Sequence, residues 1–120
     1  MAIPSPVMGA GNSPLATAAI VGSGSTTGAV ATGTGLSDAY KLTNTNTTFT
    51  TSSASTGFTI VNAEAGMELW IRNDSGQTLT FYPPTGTTVN AGASSVTLAT
   101  AKTMVIRAMS ATTFATITSA

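Results

Sequence analysis

From residue 38 onward, short runs of apolar, β-branched and aromatic residues alternate with clusters of Gly, Pro, Asn, Asp and Ser. The runs cover residues 39–43, 47–51, 57–61, 67–73, 77–83, 95–99, 103–109 and 113–118. Runs of this length, rich in Thr, Val, Ile and Phe, predict β-strands. No segment keeps a helical period for ten residues, and the many threonines disfavour helix. In Met67-Glu-Leu-Trp-Ile-Arg72 the apolar residues Met67, Leu69 and Ile71 alternate with Glu68, Trp70 and Arg72. The turn cluster Asn73-Asp-Ser-Gly76 follows, and then a strand whose Leu79 and Phe81 share a face, so the pattern predicts a hairpin. A second hairpin is expected between 103–109 and 113–118, with Met104, Val105, Ile106, Phe114 and Ile117 buried. The fold class is therefore all-β: a small antiparallel β-sandwich or β-barrel, jelly-roll-like, with no convincing internal repeat.

Residues 1–37 break this pattern. They contain no charged side chain and are built from Gly, Ala, Ser, Thr and Pro. The segment predicts an extended N-terminal arm before a compact body over residues 38–120. Such an arm has few groups to hold it in water and many backbone donors and acceptors to satisfy. It is expected to lie against a surface, with Ile3, Val7, Leu15 and Ile20 as apolar anchors. The apolar stretch 15–21 is too short, and lacks a preceding basic residue, to be expected to act as a signal peptide.

Composition narrows the chemistry. Of 120 residues, 25 are Thr and 13 Ser, while only 7% are charged and the formal net charge is zero. An ordinary soluble domain carries about 25% charged residues. A surface this neutral suggests a chain covered in part by other subunits. There is no His and no Cys. Ser–His and Cys–His nucleophile pairs, imidazole or thiolate metal sites and disulfides are excluded. Four basic residues cannot form the charged face that nucleic acid or an anionic membrane requires. Gly22-Ser-Gly-Ser-Thr-Thr-Gly28 lacks the Lys of a phosphate-binding loop. Glu64 and Glu68 are expected to be solvated carboxylates, not an acid–base pair. The chain is accordingly expected to be non-enzymatic and to need no cofactor. Trp70 and Tyr82 both fall on the face opposite the expected core, which marks them as interface candidates.

Three motifs in the body then form a larger pattern: Asn73-Asp-Ser-Gly-Gln-Thr-Leu-Thr-Phe-Tyr-Pro83, Gly86-Thr-Thr-Val-Asn90 and Ser110-Ala-Thr-Thr-Phe114. In this the body resembles β modules of tailed-bacteriophage structural proteins, namely head decoration (cement) proteins and some fibre proteins. The resemblance implies a virion protein on the outer surface of the capsid, usually a homotrimer. It would bridge neighbouring major capsid subunits and stabilise the head. No catalytic residues are carried over. A fibre or head-fibre binding module contacting host glycan is the alternative, and it would use an exposed aromatic platform.

Overall fold

The computed structural model describes residues 24–61 and 63–120 of the chain. It is all-β, with ten strands: β1 (Ser25–Ala29), β2 (Tyr40–Leu42), β3 (Asn46–Phe49), β4 (Gly57–Ile60), β5 (Glu68–Asn73), β6 (Leu79–Phe81), β7 (Thr88–Val89), β8 (Val96–Leu98), β9 (Lys102–Ala108) and β10 (Thr113–Thr118). Each of the eight runs predicted from the pattern overlaps a strand. A single 3-10 turn, Leu36–Asp38, precedes β2.

The strands form two sheets, in the orders β1-β3-β5-β9-β10-β7 and β2-β4-β6-β8. Odd and even strands alternate between the sheets through β6, so the chain winds in coils. Each coil lays one strand in the first sheet and one in the second. The pairs β1–β3, β3–β5, β2–β4 and β4–β6 are all parallel. This is a short two-faced β-solenoid of three coils, not the antiparallel jelly-roll-like body expected. The two sheets do pack on one core, so a two-layer architecture stands. The stack then reverses: β8 runs antiparallel to β6, β9 to β5 and β10 to β9, while β7 closes the far edge beside β10.

Coil stacking aligns like with like. Tyr40 pairs with Phe58, and Phe58 with Phe81, at the same register position in three successive coils. The Phe58 and Phe81 rings stack with centroids 5.8 Å apart. Phe49 of the first sheet stacks on Phe58 at 5.3 Å and meets the edge of Tyr40 at 5.4 Å. Phe114 closes the column edge-on to Phe81 at 6.0 Å. Five rings thus form a spine that bonds the sheets to each other and the coils in sequence. Leu69, Ile71, Leu79, Leu98, Met104 and Ile106 fill the space around it.

The expected hairpin through Asn73-Asp-Ser-Gly76 is a corner instead. It carries the chain from β5 in the first sheet to β6 in the second. Asn73 makes the corner possible. Its side chain is fully buried. Nδ2 donates to the carbonyls of Gln77 (2.7 Å) and Leu98 (2.9 Å). Oδ1 accepts from the Ser75 amide (3.1 Å) and hydroxyl (2.7 Å). All four bonding positions of the amide are used, which is what a buried amide requires. Gly76 takes φ +82°, as the turn reading expected, and its amide donates to Thr100 Oγ1 at 3.0 Å.

The body begins earlier than residue 38. β1 belongs to the first sheet, and Thr32 exchanges both backbone hydrogen bonds with Gly57 at 3.2 Å. Ala29 and Ala31 are buried, and Asn44 Nδ2 donates to Thr26 Oγ1. Residues 24–37, read from sequence as arm, therefore wrap their own body. Ile3, Val7, Leu15 and Ile20 lie outside the described residues. The second predicted hairpin is present as β9–β10. Its buried set is corrected by strict alternation: Met104, Ile106 and Phe114 face the core, while Val105 is half-buried on the outer face and Ile117 is 75% exposed.

Asn73→Ala strands the buried Leu98 carbonyl and empties the corner, so it is expected to lower unfolding free energy in urea by about 3 kcal/mol. Gly76→Ala meets open space but must hold a positive φ, and is expected to cost about 1 kcal/mol in the same measurement.

Candidate functional site

The two aromatic candidates lie on different sheets. Trp70 is at the centre of β5, on the outer face of the first sheet, and 40% exposed. Tyr82 directly follows β6 in the second sheet. The structure does not bring them together, so they cannot form a single platform.

Tyr82 is held in place. Its hydroxyl donates to the Thr34 carbonyl at 3.2 Å, and its own carbonyl accepts from Thr59 Oγ1 at 2.6 Å. Its ring covers Gly57, where a Cβ would run into the Thr80 carbonyl oxygen and the Tyr82 ring. Tyr82 thus clamps the 24–37 segment to the second sheet. A groove of about 430 Å³ beside it is lined by Thr34, Ser55, Gln77, Thr78 and Thr80. Hydroxyls and one amide dominate that groove.

The Trp70 side is different. Trp70 pairs across the sheet with Val105, and Val105 with Ile117. The three side chains form one apolar row across β5, β9 and β10. A groove of about 410 Å³ follows the row, with Glu68, Thr103 and Ser119 completing its walls. The Trp70 indole N–H donates to Glu68 Oε1 at 2.9 Å. Glu68 Oε2 accepts from Arg107 Nη1 at 3.0 Å. On the other side of the row, Arg72 pairs with Asp74 at 2.7 Å. The row is therefore bracketed by two ion pairs of zero net charge.

Sequence reasoning found Trp70 and missed Val105 and Ile117. The signal was present: Met104, Ile106 and Ala108 alternate inward, which sends Val105 outward, and Phe114 inward sends Ile117 outward. Hydrophobicity outweighed period in that assignment.

Three of the four carboxylates have structural partners. Asp38 accepts the Gly35 amide at 3.2 Å, and Asp74 and Glu68 are ion-paired. Glu64 is exposed in the loop before β5. Among the described residues, no group of three or more acidic, His or Cys side chains could hold a metal ion. The chemistry this surface offers is contact: an apolar row, stacking on an indole, and exchange of charged hydrogen bonds at its rim.

No family model matches the chain, and neither does any curated protein or solved structure.

Glu68→Gln removes one half-exposed ion pair and should change unfolding free energy by less than about 0.5 kcal/mol. Gly57→Ala drives a methyl into backbone and ring, and the expected loss is about 2–3 kcal/mol. Chemical denaturation of both variants checks the contrast.

Proposed function

We propose that this chain is a structural virion protein that decorates the outer surface of a phage head and stabilises it by bridging neighbouring major capsid subunits. The observation that carries the reading is the open end of the coil stack. β1 and β2 are the outer strands of their sheets at the same end of the solenoid. Among the described residues neither has a second strand partner. Each offers backbone donors and acceptors to an extended segment of a neighbour. The rest of the described surface is Thr- and Ser-rich and nearly uncharged, which suits a part that sits among other subunits. The threonine hydroxyls keep such a surface wet without fixing a charge pattern on it.

A second reading, a fibre module contacting host glycan, is favoured by one observation: an exposed indole at a groove that also carries Glu68, Thr103 and Ser119. Indole faces stack on sugar rings, and hydroxyls orient them. Against it, Glu68 is already engaged by Trp70 and Arg107.

The test is made on purified heads. Attachment through backbone pairing and apolar contact predicts that occupancy, measured against the major capsid protein, is unchanged between low and molar NaCl. Heads lacking the chain are expected to lose their DNA at a lower temperature than decorated heads. Stripping by moderate salt, equal thermal stability of the two kinds of head, or recovery of the chain with fibres would each overturn the proposal.

A further inference from the structure

We propose that the outer face of β5, β9 and β10 is a self-association face, and that its occupant is a second copy of this chain packed sheet to sheet across a two-fold axis. The inference does not depend on the virion reading.

The face has an apolar centre in the row Trp70–Val105–Ile117. Ile117 is the most exposed large apolar side chain among the described residues, at 75%. An exposed isoleucine aligned with a half-exposed tryptophan is a patch that water does not favour. What the occupant must offer follows from the rim. Four of the chain's eight charged side chains are here: Glu68 with Arg107 on one side of the row, and Arg72 with Asp74 on the other. A partner needs an apolar middle, a base opposite Glu68 and an acid opposite Arg72.

The face itself meets this description. Glu68 and Arg72 stand two residues either side of Trp70 on one strand, so they share its face and lie at equal distances from the row, about 7 Å. Turning a second copy over about an axis along the row leaves the row on the row. Trp70 then meets Trp70, Val105 meets Val105 and Ile117 meets Ile117. The same operation brings Glu68 of each copy opposite Arg72 of the other, twice over. Each existing ion pair thereby joins a four-membered network across the interface instead of meeting a like charge. Turning the axis by a right angle, so that it runs along β9, places Arg107 against Arg107 and loses this match. Complementarity therefore selects one isologous arrangement. Sheets packed face to face sit about 10 Å apart, a spacing that these side chains fill.

The contact spans three strands, about 15 Å by 20 Å. That footprint, about 300 Å² on each copy, is smaller than a stable interface needs, so the dimer is a weak one that should form reversibly at high-micromolar to near-millimolar concentration.

Sedimentation of the full chain over that range tests the proposal. A monomer–dimer equilibrium is expected, with a blue shift of emission from the chain's one tryptophan as concentration rises. Ile117→Lys replaces an exposed side chain and leaves the fold intact, and should weaken the dimer about tenfold or more. Glu68→Arg or Arg72→Glu alone sets like charges opposite each other and should weaken it about tenfold, while the two together should restore it to within about threefold. The chain has no cysteine, so Ile117→Cys gives one thiol per copy; across a sheet-to-sheet gap of about 10 Å the two thiols are too far apart for a disulfide, and a short bismaleimide should join them into a covalent dimer. A monomer at every concentration, a trimer, association indifferent to Ile117→Lys, or a double charge reversal no better than the singles would overturn the proposal. So would tryptophan emission that ignores concentration and shifts only on addition of an oligosaccharide.

Discussion

Each coil of this protein satisfies its backbone only through the next one. A strand of two to seven residues has no internal hydrogen bonds, and here its neighbours in the sheet come from the coil before and the coil after. The coils must therefore be in register, and register decides everything else. It is fixed from inside by the ring spine. Tyr40, Phe58 and Phe81 occupy one position in three coils, and a slip of one residue would turn all three outward. With no disulfide and no metal cluster among the described residues, this column and the corner amide of Asn73 do the work that covalent staples do in other small domains.

The scarcity of charge fits this construction. Successive coils place equivalent positions directly above one another, about 4.8 Å apart. A charged residue at a repeating outer position would face its own kind along the stack. Threonine avoids that repulsion and has the β-branched shape that a pleated surface favours. Thr47 pairs with Ile71 and Thr48 with Arg72, so the hydroxyl side chains also tolerate varied neighbours. Four of the charges on and beside the first sheet come as opposite-sign pairs, Glu68–Arg107 between adjacent strands and Arg72–Asp74 two residues apart.

Element existence was legible in the sequence, because period two and turn residues are local signals. The partners of those elements were not. Nothing local distinguishes a turn that folds a strand back from one that carries it to the opposite sheet. Asn73-Asp-Ser-Gly76 does the second, and the deciding contact, Asn73 with the Leu98 carbonyl, spans 25 residues. The coils also hide their own repeat. Tyr40 to Phe58 is 18 residues and Phe49 to Asn73 is 24, so no fixed period survives in the sequence. β1 and β7 went unseen for a different reason: Ser25-Thr-Thr-Gly-Ala29 and Thr88-Val89 carry almost no apolar signal and are strands only because β3 and β10 lie beside them. Of the interface candidates, Trp70 was legible by alternation, whereas its neighbours Val105 and Ile117 required knowing which strands stand side by side.

The reversal at β8 and β9 gives the molecule a growth direction. Its antiparallel strands terminate the stack at one end, while the middle coil, β3 and β4, has parallel neighbours on both sides. That coil is the interchangeable unit. Another of its kind could be spliced in beside it without disturbing the terminating strands, and each insertion would lengthen the body by about 4.8 Å. A lineage carrying this architecture thus holds a ruler graduated in single coils, with which the reach of the protein can be changed while both of its broad faces keep their chemistry.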